Sequence, residues 1–196
     1  MNGDGVVTLA DGAGGKASRR LVEALFLEEL RNPLLASLED AAVVGTNGTR
    51  IAVTTDAYVV RPLRFPGGDI GELAVNGTVN DLAMAGAKPL ALTAGFVLEE
   101  GLALDELRLV ADSVARAAAA AGVVVAAGDT KVVEHGTCDG LYVTTAGLGL
   151  VDPRAELDPT RVRPGDRVIV SGTIADHGIA NSLPPKPSRL PNDSTA

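Results

Sequence analysis

Four aspartates stand where a folded chain could gather them. Asp40 precedes the apolar run AAVV, Asp56 follows IAVTT, Asp81 lies in VNDLAMAG, and Asp129 follows VVVAAG. Carboxylates just beyond strands often converge at one rim of a sheet. Hard oxygen ligands of this kind suit Mg2+, which keeps waters and bridges to substrate phosphates. Asp also favours caps and turns, so each residue taken alone fits a local role as well. Asp81 fits it least, because a carboxylate among small and apolar helical neighbours needs a partner or a cation.

Two further segments could serve phosphate. Gly128-Asp129-Thr130-Lys131 combines a glycine, a carboxylate, a hydroxyl and an ammonium. The glycine permits close backbone approach, and the hydroxyl and ammonium suit phosphate oxygens; a turn with a solvated lysine reads equally well. Asp11-Gly12-Ala13-Gly14-Gly15-Lys16 precedes a helical pattern, as a phosphate cradle or as a flexible arm. It has neither the spacing of a P-loop nor the strand–turn–helix context of a dinucleotide fingerprint. His135 and His177 are the only histidines and neither has a second ligand at helical spacing, so zinc is not expected. Cys138, three residues from His135, reads as incidental.

These residues must be held by a scaffold. A helix is expected from about Lys16 to Leu30, with Leu21, Val22, Leu25 and Phe26 on one face, ended by Asn32-Pro33. Residues 41–44 and 51–55 read as strands joined across Thr46-Asn47-Gly48, a hairpin signal. A loop over Arg61–Gly68 leads to Asp69-Ile70-Gly71-Glu72, an N-cap pattern opening a helix to about Ala85 that Gly86 ends. A strand at Leu90–Leu98, a helix at Asp105–Ala121 and a short buried strand at Val123–Ala126 follow. Strands at Leu141–Leu150 and Arg167–Ser171 complete an order of roughly α-β-β-α-β-α-β-β. That order implies an α+β domain, a mixed or antiparallel sheet with helices on one face.

Composition narrows the function. With 17 Lys and Arg against 25 Asp and Glu, the net charge of −8 argues against a phosphate-backbone binder, and 3% aromatics against base-stacking platforms. An acidic nucleotide binder must therefore supply a cation or local donors. Hydrophobic residues at 46% suffice for a packed core. One cysteine excludes an internal disulfide, and no signal peptide or membrane span is legible, so a cytoplasmic setting is expected. The last 16 residues, NSLPPKPSRLPNDSTA, hold four of the 11 prolines and read as a disordered tail. The expected division is thus 1–160 as the main domain, 161–180 as the start of a second, and 181–196 as tail.

DGAGGK, EDAAVV, VTTDAYVV, FPGGDIGELAVNGTVNDLAMAGAKPLALTAGFVLEE, GDTKVV and RPGDRVIVSGTIADHGIA occur in this order over about residues 8–180. Together they resemble the HypE family of hydrogenase maturation factors. Aminoimidazole ribonucleotide synthetase, selenophosphate synthetase and thiamine-monophosphate kinase are more distant relatives, sharing an acidic Mg-ATP site. The resemblance implies a PurM-like N-terminal domain that dimerises through its sheet, with ATP bound near the interface. It also implies a reaction. A carbamoyl group on a C-terminal cysteine sulfur is phosphorylated by ATP at its amide oxygen, and loss of phosphate leaves a thiocyanate. The cyanide passes to the iron of a [NiFe]-hydrogenase. HypF, the carbamoyltransferase, and a HypC–HypD complex are the implied partners, beside a second copy of the chain.

By position, Asp40, Asp56, Asp81 and Asp129 resemble the family's Mg-phosphate carboxylates. Asn80, Gly128, Thr130 and Lys131 resemble phosphate or nucleotide contacts. Gly14, Gly15 and Lys16 fall in a loop like the mobile segment that closes over the phosphates. The family pattern continues into a second domain ending in a reactive cysteine, whereas here HGIA runs into the Pro-rich stretch and no C-terminal thiol follows. Mg-ATP binding and dimerisation are therefore expected of this chain, not the complete dehydration. Another PurM-like synthetase or kinase, and a non-catalytic dimerising fragment, are the competing readings.

Overall fold

The computed structural model describes residues 6–174. The histidine at 177 and the Pro-rich segment lie outside them. The chain opens with helical pieces, α1 (Leu9–Gly12), α2 (Gly15–Leu21) and α3 (Leu27–Glu29), with a π-helical turn over Val22–Phe26 between the last two. The helix expected over Lys16–Leu30 is thus present as one unbroken helical run, Gly15–Glu29, with the π-helical turn inside it. None of these residues is buried. The periodicity suits a buried face, but among the described residues that face is at most partly covered.

β1 (Ala42–Thr46) and β2 (Thr49–Tyr58) form the expected hairpin. Thr46 pairs with Thr49 across Asn47 and Gly48, which both have positive φ, the geometry that Asn-Gly favours. The stretch expected as a loop contains a small hairpin, β3 (Arg64–Phe65) against β4 (Gly68–Asp69). α4 (Ile70–Met84) starts where expected. The Asp69 carboxylate accepts from the backbone N–H groups of Gly71 and Glu72 at 2.8 and 3.0 Å, satisfying two donors of the first turn.

β5 spans Ala87–Glu99, three residues earlier than the alternation suggested. It admits Pro89 because the register against its neighbour shifts between Pro89 and Ala91, so the missing N–H falls at an irregularity. α5 (Leu104–Ala121) ends at Gly122, which is left-handed, and the Val123 N–H returns to the Ala118 carbonyl. β6 (Val124–Val133) is longer than the expected Val123–Ala126 and almost wholly exposed. Among the described residues it is an edge strand, with no strand beyond it. β7 (Leu141–Val151) follows. No strand forms at Arg167–Ser171: those residues lie exposed, with no ladder partner. Among the described residues no helix is long and apolar enough to cross a membrane.

The main sheet has the order β1-β2-β7-β5-β6, antiparallel except for the parallel β5–β6 pair. It is the mixed sheet with helices on one face that the sequence implied. β7 shows the one-sidedness plainly. Leu141, Val143, Thr145, Gly147, Gly149 and Val151 are buried, while Thr144, Leu148 and Leu150 between them are exposed. The buried side packs against α4, and α5 packs alongside. Ile70, Ala74, Leu98, Val110, Leu141 and Val143 form one core cluster. Val75, Leu92, Val114 and Ala117 belong to a second, and Leu82 to a third. Each such large side chain, fully buried, contributes about 1.5–3 kcal/mol.

The two helices meet closely at Gly71, where a Cβ would stand 2.6 Å from the Val110 carbonyl oxygen. Gly71→Ala must push α4 from α5 and is expected to cost about 1–3 kcal/mol. Urea unfolding followed by far-UV circular dichroism measures it; an unchanged midpoint would contradict the close contact.

Candidate functional site

The site grows from alternation along β2. Ala52 and Thr54 are buried on the helix-covered side, and Asp56 and Tyr58 continue the same face at spacing two. α4 crosses this face and presents Thr78 and Asp81, one turn apart. Helix and strand packing thereby brings Asp56 and Asp81 together from two elements.

Thr54 links the parts. Its Oγ1 lies 2.8 Å from the Asp40 backbone carbonyl and 3.0 Å from Asp81 Oδ2. A hydroxyl has one proton to donate. With that proton on the carbonyl, Asp81 Oδ2 faces a lone pair and wants a proton or a cation. Burial pushes the Asp81 carboxyl above its ordinary range. The Thr54 hydroxyl opposes that, while the charges of Asp56 and Asp40, and a direct hydrogen bond with Asp56, add to the upward push. Two carboxylates within hydrogen-bonding reach are stable with a shared proton or a bridging cation between them.

Other hydroxyls complete the network. Tyr58 donates to Asp56 Oδ2 at 2.8 Å. Burial, with the Asp56 and Asp81 charges, drives the phenol above its ordinary range, so it remains a neutral donor. Thr78 Oγ1 donates to the Ala74 carbonyl at 3.0 Å and is also hydrogen-bonded to Thr145, which pairs with Asp56 across β2 and β7. Thr54, Tyr58, Thr78 and Thr145 were not singled out in the sequence. The legible signal was the i, i+2, i+4 series Thr54, Asp56, Tyr58 on one strand face.

The remaining candidates lie elsewhere. Asp40 is exposed beside this cluster, and a cleft of about 470 Å3 runs from it past Thr54 to Val53, Thr55 and Ala146 on the uncovered sheet face. Asn80 is exposed on α4 beside Asp81. Gly128, Asp129, Thr130 and Lys131 lie within β6, not after a strand, and all are exposed. Asp129 is level with Gly95, Gly95 with Thr144, and Thr144 with Ala57, which puts Asp129 on the uncovered face. Asp56 points to the opposite side, three strand spacings of about 4.8 Å away. Within one chain, then, Asp129 does not join Asp56 and Asp81. Gly14, Gly15 and Lys16 lie in the exposed N-terminal segment, and among the described residues no hydrogen bond or ion pair ties them to the aspartates.

Cys138 sits at a separate loop. Glu99 accepts there from the N–H groups of Gly136 and Gly140 at 2.6 and 2.8 Å. Burial, with the charges of Glu99 and Asp139, raises the Cys138 thiol, which leaves it a poor nucleophile.

Among the described residues no three Asp, Glu, His or Cys side chains are placed to hold a metal by themselves. The chemistry still fits Mg2+, which takes one or two carboxylates and completes its shell with water and substrate phosphate. Asp56 and Asp81 supply that pair, and a cation between them offsets their mutual repulsion.

Comparison with known proteins adds the following. The family model for the AIR synthase related protein, N-terminal domain, matches residues 38–151. The chain is 51% identical over 176 residues to the carbamoyl dehydratase HypE of Azotobacter vinelandii, covering 90% of this chain and 52% of that protein. A crystal structure of a HypE–HypF complex matches with TM-score 0.63 and 50% identity, over 67% of this chain and 42% of that one. A crystal structure of HypE in complex with ATP matches with TM-score 0.52 and 50% identity, over 74% and 43%. The chain spans about half the length of the curated relatives it matches.

Because the Asp81 carboxyl is raised, its charge opposes folding above the ordinary carboxylate range. Stability from this group is greatest in acid and falls as pH rises through the raised value. Without Mg2+ or nucleotide, Asp81→Asn should raise Tm at pH 7.5 by about 2–4 °C. The gain should shrink towards pH 4. Thermal unfolding across that range measures it; a lower Tm at pH 7.5 would refute the repulsion.

Proposed function

The chain belongs to the AIR synthase related protein family through its N-terminal domain, and on that premise we propose that it binds Mg-ATP as the nucleotide-binding half of a HypE-type carbamoyl dehydratase. The observation that carries this reading is the Asp56–Asp81 pair, with Thr54 one proton short of satisfying its two neighbours. Mg2+ would be held by Asp56 and Asp81, with Asp40 beside them. Bound Mg2+ offsets the charge of the triphosphate, which a protein of net charge −8 must otherwise repel. Bound ATP would supply the phosphoryl group that, in the complete enzyme, activates a carbamoyl oxygen. The chain's own part is to orient the nucleotide and to hold the two carboxylates where a cation can bridge them.

The uncovered sheet face supports a homodimer. Val44, Val53, Leu148 and Leu150 are exposed on it, a larger apolar area than single surface residues explain. The cleft at Asp40 opens onto this face, and Asp129 stands on it too. A second copy packed there would place the Gly128–Lys131 segment of one chain near the Asp40 cleft of the other. Asn80 would face the same nucleotide, and Gly14, Gly15 and Lys16 would close over its phosphates. The solved ATP complex and the HypE–HypF complex of similar proteins support ATP as ligand and HypF as partner. A role in [NiFe]-hydrogenase maturation, contact with HypC–HypD and a cytoplasmic location follow from the same resemblance.

Isothermal titration with ATP should give binding at least about tenfold tighter with Mg2+ than with EDTA. Asp56→Asn should remove most of that difference. Equal binding in EDTA would defeat the metal role. Light scattering after size exclusion should give a dimer, and Leu148→Glu, which sets a charge on the uncovered face, a monomer. A dimer unaffected by that substitution would move the interface elsewhere.

A further inference from the structure

We infer that Tyr58 is a positioning residue for the metal-binding carboxylate Asp56, and that Gly77 exists in α4 to seat it. The inference rests on the Mg-ATP reading of the site. Tyr58 and Asp56 lie two apart on the same face of β2, so the phenol lies alongside the carboxylate. The hydroxyl reaches Asp56 Oδ2 at 2.8 Å. It gets there by resting on the bare backbone of α4. A Cβ at Gly77 would stand 2.1 Å from the Tyr58 hydroxyl oxygen and 3.1 Å from the ring carbon bearing it. Any other residue at 77 would evict the hydroxyl. Gly77 does not have positive φ, so backbone conformation does not demand a glycine there. A glycine inside a helix costs about 1 kcal/mol relative to alanine, and the space it leaves is filled by this hydroxyl.

The consequence for the site is geometric. A carboxylate with no other partner can turn either oxygen towards the neighbouring carboxylate. Tyr58 occupies one Asp56 oxygen with a neutral donor and leaves the other to face Asp81 or a cation. Thr78, next to Gly77 on α4, is tied to Thr145, the strand partner of Asp56, so helix and strand are locked at this level. Partners of this kind, which orient a ligand without touching the metal, commonly change metal affinity 10–100-fold when removed.

Three variants of the full chain test this, read by thermal unfolding without ligand and by magnesium titration at fixed ATP. Tyr58→Phe should keep the wild-type Tm within about 2 °C. It should raise the half-saturating Mg2+ about tenfold and leave ATP binding in EDTA unchanged. A merely structural tyrosine would move Tm and leave the magnesium dependence alone. Gly77→Ala should lower Tm and weaken magnesium dependence together. Adding Tyr58→Phe to Gly77→Ala should recover part of the lost Tm, because the oxygen that meets the new methyl group is gone. An unchanged magnesium requirement in Tyr58→Phe, with normal Mg-dependent binding by the unsubstituted chain, would overturn the positioning role alone. Equal loss from Gly77→Ala in both backgrounds would overturn the seating of the hydroxyl. If the unsubstituted chain shows no Mg-dependent ATP binding, the site reading fails and this role fails with it.

Discussion

Two carboxylates held within hydrogen-bonding reach of each other, on different elements, set the terms for this molecule. Like charges at that distance repel, and partial burial of Asp81 strengthens the repulsion by removing water. The fold resists it with ordinary apolar packing. α4 is anchored by Ile70, Ala74, Val75 and Leu82 against the sheet, and β2 is held in the sheet by β1 and β7. The core therefore maintains a local arrangement that is unfavourable by itself. Such an arrangement favours a counter-charge between the two carboxylates.

The second organising feature is that the sheet is covered on one side only. α4 and α5 bury one face; the other keeps Val44, Val53, Leu148 and Leu150 in contact with solvent. The edge strand β6 and the N-terminal helical segment share this condition. Three regions thus carry apolar patterns proper to buried surface without full cover from the described residues. The phosphate-suited residues Asp129 and Lys131 sit on this incomplete side, apart from the aspartates on the helix side. The acidic cluster and the Asp129–Lys131 stretch of β6 lie on opposite faces of the sheet, so one site can hold both only with a second molecule.

Local chemistry was legible wherever a short segment decides its own conformation. Asn47-Gly48 made the hairpin turn because both positions accept positive φ. Asp69 capped α4 because its side chain reaches two orphan N–H groups. Gly122 ended α5 for the complementary reason. Where a neighbour decides, the reading failed. The apolar face of the N-terminal helix has no buried residue. β6 was cut short at Ala126 because Gly-Asp-Thr-Lys looks like a turn, yet the β5 ladder carries the strand through to Val133. Arg167–Ser171 has strand-forming residues and no strand to pair with.

The sequence by itself determined the main elements from β1 to β7 apart from the β3–β4 hairpin, the one-sided sheet and the acidic character of the site, including Asp81 as the carboxylate least at ease in its surroundings. These follow from side-chain periodicity, caps and composition, all of which act within a few residues. Only the tertiary structure decided that Asp56 and Asp81 meet, that Thr54, Tyr58 and Thr145 support them, and that Asp129 falls on the other face. Those facts turn on which side of β2 the helix crosses and on how β5, β6 and β7 stack in register. A pleated strand turns alternate residues to opposite sides. Whether two carboxylates share a site or are divided by a sheet therefore depends on a register that non-local packing sets.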